Sequence, residues 1–319
     1  MSTHVYKALK TIGLLHLTHI LKTRPLHNHL LSQVKVEALA LADKGFKPHM
    51  AVVQVGQNAA STVYVGKKKE ACEAHGILFT HVHLPEDVTQ ETLLEEITAL
   101  NNNPNVTGLI IQLPLPHHLN PESALDAIDA NKDVDGLGPT NSGRASLGLD
   151  QKTIFPATPL GIMRILKWIN FDLKGKDAVM VGRSNLVGRP TADMLSRREA
   201  TVMICHKETK NLKSFTQKAD LLIVATGVPH LIGKEHIQKG VVIIDVGISP
   251  NPQGEKTVIG DVDTAAVTDT AALVTPVPGG VGPMTVASLL TNVIDATRLQ
   301  NNIKKIQWDI PTLPLDLAT

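Results

Sequence analysis

Residues 176–190 read KDAVMVGRSNLVGRP. A short Val- and Met-rich run ends at Gly182, a polar turn follows, and Gly188 opens a stretch with helical spacing over 188–198. Near-continuous apolarity marks a strand covered by helices on both faces, as in a parallel sheet. The turn at its end presents free backbone N–H groups at a helix N-terminus, a place suited to phosphate or carboxylate. The same pattern recurs on either side. MAVVQVG (50–56), VTGLIIQLPLP (106–116), ATVMICH (200–206), ADLLIVATG (219–227) and VVIIDVG (241–247) all read as buried strands. Helical spacing occupies 61–75, 90–103, 158–169 and 284–300. The sum predicts an α/β protein with parallel sheets. VVQVGQNAAS (52–61) repeats the strand, Gly and polar turn of VMVGRSNLVG (179–188), so two such domains are expected. A boundary is placed after Asp150, where QKTIFPATPLG (151–161) sets two prolines ahead of a new helix. On this reading 1–150 is one α/β domain, 151–285 is a Rossmann-like dinucleotide domain, and a final helix within 286–319 returns to the first. The tail 307–319, with Trp308, Pro311 and Pro314, is not helical throughout.

Composition limits the function. The chain has 319 residues, 43% hydrophobic and 19% charged, enough for two cored domains. Lys plus Arg (31) nearly equals Asp plus Glu (30), and aromatic residues are 3%, which argues against nucleic acid as a partner. No apolar run reaches the length of a membrane span. Cys72 and Cys205 form no C-x-x-C pair, which fits a reducing compartment, the cytoplasm. Residues 1–36 hold Lys7, Lys10, Lys22, Arg24 and Lys35 and no acid. With Val5, Leu9, Ile12 and Leu15 this start reads as a first helix; the alternative, an organellar presequence over 1–20, lacks the usual Arg and Ser richness.

Several residues have the chemistry of a site. Arg183 and Ser184 follow Gly182 in the turn, and His206 with Lys207 ends the next strand. In a dinucleotide domain that strand end meets the adenosine ribose, where an acid takes the hydroxyls of NAD and cations suit a 2′-phosphate. The residues therefore point to NADP. The run through Gly182, Ser184 and Gly188 departs from G-x-G-x-x-G, so the loop is a modified one. Tyr64 and Lys68 are four apart in a predicted helix and share a face, with Cys72 one turn on. Burial and like charge from Lys67 and Lys69 would lower the Lys68 pKa and suit it to acid/base work; the plainer reading is a solvated lysine run. Gln112 ends a buried strand and two prolines stiffen its exit. In KDVDG (132–136), Asp133 and Asp135 fall on one side of an extended segment, without a third ligand at metal spacing. One carboxylate alone suffices to accept two N–H bonds from a planar amino-heterocycle. PVPGGVGPMT (276–285) is a stiff turn whose bare backbone lets a ligand approach closely.

Taken in order, YVGKKKEAC, LNNNPNVTGLIIQLPLP, KDVDG, NSGR (141–144), TPLGI (158–162), VGRSNLVGRP, DVGI (245–248), GDVD (260–263) and TPVPGGVGPMT resemble the bifunctional methylenetetrahydrofolate dehydrogenase/methenyltetrahydrofolate cyclohydrolase family. The likeness runs from about residue 36 to 298. ILKTRPL (20–26), Ala157 and Lys207 depart from the family pattern. The resemblance implies an N-terminal folate domain, an NADP domain, an active site between them, and a homodimer in one-carbon metabolism that serves purine biosynthesis. It implies Lys68 as the central acid/base, Tyr64 as the ring stacking on folate, and Gln112 as the partner of Lys68. Asp135 would grip the pterin, with Pro114, Gly279 and Gly280 lining the substrate site. Gly182, Arg183, Ser184 and Ile248 would contact NADP; His206 and Lys207 join them on the reading of the residues alone, which also calls for no metal. Two alternatives are separable by assay: a shikimate-type dehydrogenase, which would not hydrolyse methenyltetrahydrofolate, and a non-catalytic folate-binding paralogue, which would not turn over.

Overall fold

The structure, a computed structural model, describes residues 18–251 and 257–313. The basic start through residue 17, including Val5, Leu9, Ile12 and Leu15, lies outside the described residues, as does the tail from 314. Two compact units result: Leu26–Arg164 with Met284–Pro311, and Ile165–Pro283 with the described residues 18–25 and 312–313.

The first unit is built on a three-stranded parallel sheet with His49–Val55 in the middle, between Leu78–Leu84 and Gly108–Ile111. The central strand is buried from Met50 on, as its unbroken apolar run requires. Val53, Leu93, Ile97, Leu109 and Ile111 pack together in its core. Leu78–Leu84 escapes the sequence reading because it is an edge strand: LFTHVHL alternates, and most of it is half-buried or exposed. The helix Arg24–Ala42 buries Leu26, Leu30, Val34, Ala38 and Leu41, the three- and four-residue spacing of one helical face.

In the second unit six strands run parallel in the order His19–Ile20, Leu273–Val274, Val242–Asp245, Leu221–Val224, Asp177–Val181, Thr201–Cys205. The chain leaves Asp177–Val181 toward one edge and then returns to build the other side. That reversal of strand order opens a crevice at the carboxyl end of Asp177–Val181, where open α/β sheets bind ligands.

The helix Val281–Gln300 does return to the first unit. Asn292 Nδ2 donates to the carbonyls of Val134 and Phe155, both at 2.8 Å, and Thr297 Oγ1 bonds Thr107 Oγ1 at 2.7 Å. The unit boundaries differ from those read from the sequence, for reasons the contacts make clear. Residues 151–164 stay with the first unit because Arg164 Nη1 donates to Ser288 and Thr291, each at 2.9 Å, and Lys305 Nζ donates to Thr153 O at 2.8 Å. Residues 18–25 join the second unit because His19–Ile20 pairs with Leu273–Val274 and Thr23 donates to Gly279 and Gly280 carbonyls.

Candidate functional site

The helix Ala59–Ala74 starts where Asn58 accepts the Ser61 N–H at 3.0 Å. It presents Tyr64, exposed, and one turn later Lys68, half-buried, while Lys67 and Lys69 point to solvent. Lys68 Nζ donates to Gln112 Oε1 at 3.0 Å, and Gln112 Nε2 donates to Leu113 O at 2.7 Å, which fixes the amide's orientation. Burial holds the Lys68 amine below the ordinary lysine value; the Asp135 carboxylate pulls it back up. The expected contribution of Lys67 and Lys69 to this shift is not its cause. Lys69 lies 3.9 Å from Glu73 and Lys67 sits 5.9 Å above the Tyr64 ring, so both charges are spent on the helix surface. Burial pushes the Cys72 thiol up to about 12, so it stays protonated beside the amine.

KDVDG shows how the chain frees one acid for a ligand. Lys132 Nζ donates to the carbonyls of Leu100, Asn101 and Asn103 at 3.2, 2.6 and 2.7 Å, closing the end of the helix Gln90–Asn102. Asp133 is turned inward, accepting from Leu137 N (3.2 Å), Gly138 N (2.9 Å) and Asn141 Nδ2 (3.1 Å). Val134 is core, and a Cβ on Gly136 would lie 2.6 Å from the Phe155 carbonyl carbon. Asp135 alone has no hydrogen-bond donor among the described residues. Burial raises its pKa and Lys68 opposes the rise. The two aspartates therefore do not act as a pair on one side: the first shapes the loop and the second is left open. Pro114, exposed, lies two residues past Gln112. Among the described residues no cluster of three or more His, Cys, Asp or Glu could hold a metal.

In the second unit Gly182 has φ +119°, and a Cβ there would run into the Ala225 carbonyl. The exposed loop 183–186 follows; Ser184 Oγ accepts from Val187 N (3.2 Å) and Gly188 N (3.4 Å), just ahead of the helix Gly188–Ser196. Arg183 is exposed and has no partner among the described residues. Val181 pairs with Cys205, and Gly182 N donates to Cys205 O at 2.8 Å, so His206 and Lys207 flank this turn. His206 Nδ1 accepts the Glu208 N–H at 3.3 Å, which puts the neutral ring's proton on Nε2. Lys207 is exposed, 3.9 Å from Glu208. Bare backbone, a helix N-terminus and an unpaired guanidinium make a cradle that fits a dinucleotide's phosphates. Ile248, 45% exposed, lies beyond the end of Val242–Asp245 in the same sheet. Gly279 and Gly280 lie on the proline-rich turn of this unit, held by Thr23 Oγ1, which donates to Gly280 O at 2.6 Å.

The site residues thus fall into two groups: Tyr64, Lys68, Gln112, Pro114 and Asp135 in the first unit, and the cofactor candidates with Gly279 and Gly280 in the second. Sequence reasoning passed over Asp245 and Asp261, whose carboxylates hold the loops around the glycine turn. The available signal was a glycine close to each acid, in DVGI and GDVD.

Known proteins resemble this chain in sequence and fold. A family model for the tetrahydrofolate dehydrogenase/cyclohydrolase catalytic domain matches residues 21–135, and one for the NAD(P)-binding domain matches 156–301. The bifunctional protein FolD of Nautilia profundicola is 45% identical over 88% of this chain and 97% of its own. That of Moorella thermoacetica is 46% identical over 88% and 98%. The crystal structure of FolD from Campylobacter jejuni aligns with TM-score 0.85 at 43% identity, covering 88% of this chain and 98% of that one. The Trypanosoma brucei enzyme, solved with NADP and an inhibitor, aligns with TM-score 0.86 at 32% identity over 90% and 99%. With both domain models matched and relatives aligned over nearly their whole length, the chain belongs to the tetrahydrofolate dehydrogenase/cyclohydrolase family.

Proposed function

We propose that the chain oxidises 5,10-methylenetetrahydrofolate to 5,10-methenyltetrahydrofolate with NADP and then hydrolyses it: water adds to the methenyl carbon, the bond from that carbon to N5 breaks, and N5 takes a proton, giving 10-formyltetrahydrofolate. The observation that carries this reading is the half-buried Lys68 amine, bonded to Gln112 at 3.0 Å and facing the open Asp135 carboxylate. NADP, when bound, accepts the hydride that leaves the one-carbon bridge. The product of that step is a cation, which a permanently charged lysine would repel. Burial favours the neutral amine at Lys68, and the neutral amine has a lone pair that takes a proton from the attacking water. Gln112 Oε1 occupies one Lys68 N–H and so aims the remaining lone pair. Asp135, free of internal donors, accepts two N–H bonds from the pterin, and the exposed Tyr64 ring stacks on it. Gly182 and Ser184 receive the NADP phosphates, Ile248 packs on the dinucleotide, and Arg183, His206 Nε2 and Lys207 take the 2′-phosphate.

A homodimer is part of the same proposal. Thr201–Cys205 is an edge strand of the six-stranded sheet, and its Met203 and Ile204 are 44% and 41% exposed. An apolar open edge invites pairing, and a second copy of this chain is the occupant we assign. Both cysteines are buried free thiols, which supports a reducing, cytoplasmic setting; the formyl product would there serve purine biosynthesis. The test follows NADPH formation from methylenetetrahydrofolate, with NAD in parallel, and then hydrolysis of methenyltetrahydrofolate. Absence of either turnover in the wild-type protein would refute the bifunctional reading.

A further inference from the structure

Two buried carboxylates take no part in the chemistry assigned above. Asp245 and Asp261 are 1% and 0% exposed, and neither enters an ion pair among the described residues. A carboxylate so placed is costly to bury unless hydrogen bonds replace its hydration; here backbone N–H groups do so in part, and burial still pushes the Asp245 pKa up to about 7. Asp245 Oδ1 accepts from Gly247 N (3.0 Å) and Asp261 N (3.1 Å), and its Oδ2 accepts from Val262 N (3.0 Å). It therefore seats the backbone of Asp261. Asp261 Oδ2 accepts in turn from Thr226 N (2.5 Å), Thr226 Oγ1 (2.9 Å) and Gly227 N (3.1 Å).

The held turn is the one that meets the glycine loop. Ala225, immediately before Thr226, places its carbonyl where a Cβ on Gly182 would be. Ser249 Oγ donates to Gly227 O at 3.2 Å, tying the segment after Ile248 to the same turn. The second Asp261 oxygen, Oδ1, is buried without a partner and pressed against Gly247, where a Cβ would collide with it. An apolar residue in place of Asp261 would fill the space but leave three donors of the turn unanswered. The geometry is that of a carboxylate kept for placement.

We propose that Asp261 is a positioning residue for the cofactor: seated by Asp245, it holds the Thr226–Gly227 turn so that Ala225 stays against Gly182, and it sets dinucleotide affinity without touching the dinucleotide. The proposal rests on the reading of Gly182–Ser184 as the NADP phosphate turn. Asp261→Asn removes the charge. Thr226→Val keeps the side chain's shape and deletes one of the three donors. Each protein is titrated with NADP by calorimetry, its amide exchange over 225–228 is followed, and its hydrolysis of methenyltetrahydrofolate is measured without NADP. Asp261→Asn is expected to weaken NADP binding about tenfold, about 1.4 kcal/mol, and to speed exchange at Thr226 and Gly227. Thr226→Val is expected to weaken binding roughly threefold, and both variants to hydrolyse at the wild-type rate. Wild-type NADP affinity in Asp261→Asn overturns the proposal, as does weakened affinity with Thr226 and Gly227 still protected. If Asp261→Asn does not fold, Thr226→Val decides, and wild-type affinity and exchange there overturn it. A wild-type protein that does not bind NADP overturns the cofactor reading itself, a result distinguishable from the others.

Discussion

Lys68→Met removes the amine and keeps the length and apolar contact of the stem. Among the described residues Lys68 makes one side-chain hydrogen bond, to Gln112 at 3.0 Å, and burial already disfavours its charged form. Losing that bond costs about 1 kcal/mol, and relief from burying a cation offsets part of it. Melting temperature and NADP affinity should therefore stay close to wild type. Hydrolysis should not. General acid/base assistance contributes about 10²–10⁴-fold, roughly 3–5 kcal/mol of barrier, several times the structural effect. The assay is saturated turnover of methenyltetrahydrofolate beside a thermal melt. Dehydrogenase turnover should fall less, because hydride transfer moves no proton through the lysine. Lys67→Met and Lys69→Met are the controls, displaced about 100° to either side on the helix. Both side chains are exposed, and the 3.9 Å Lys69–Glu73 contact is a surface pair of little energetic weight. Each control should cost at most about twofold. Wild-type hydrolysis by Lys68→Met, or an equal loss in the controls, would show a solvated lysine run with the catalytic centre elsewhere.

The other predictions test the neighbours of that amine, the cofactor turn and the open edge. Asp135→Asn should weaken folate binding by about 1.5–3 kcal/mol, the range for a charged hydrogen bond, and chelators should change nothing in either protein. Because the Asp135 carboxylate raises the Lys68 pKa, its removal lowers that pKa further; the rising acid limb of the hydrolysis pH profile should move toward acid, and a shift toward alkali contradicts the assignment. Arg183→Ala should raise KM for NADP tenfold or more, about 1.4 kcal/mol, with NAD use little changed; equal losses with both cofactors would mean that Arg183 does not read the 2′-phosphate. Ile204→Lys puts a charge on the edge strand and should convert a dimer to a monomer in light scattering, whereas an unchanged mass would place the dimer interface elsewhere or exclude one.

Most of this fold was legible where the signal is local. Strands buried on both faces, such as Val242–Asp245, announce themselves by unbroken apolarity, and helices such as Gln90–Asn102 by spacing. Leu78–Leu84 was not legible because an edge strand needs only part of one face buried, and His19–Ile20 was not because its pairing with Leu273–Val274 joins distant segments. The same division runs through the site. Lys68, Gln112 and Asp135 stood out in sequence for different reasons: Gln112 is polar at the end of an apolar strand, Lys68 lies one helical turn from Tyr64, and Asp135 is two residues from a second acid. What those groups do to one another was not readable. The two acids of KDVDG look equivalent in sequence, yet Asp133 is consumed by N–H groups that reach it only after the chain turns at Gly136. Likewise the lysine run suggests repulsion between adjacent cations, while the helix aims Lys67 and Lys69 outward and leaves Lys68 to be set by burial, with Asp135 opposing it. A residue's chemical type is a local property, but its protonation and freedom to bind depend on donors supplied from elsewhere in the chain. Asp245 and Asp261 make the point most sharply: both are acids in glycine-flanked motifs, and only the path of N–H donors from Gly247 to Gly227 separates an anchor from a ligand-binding group.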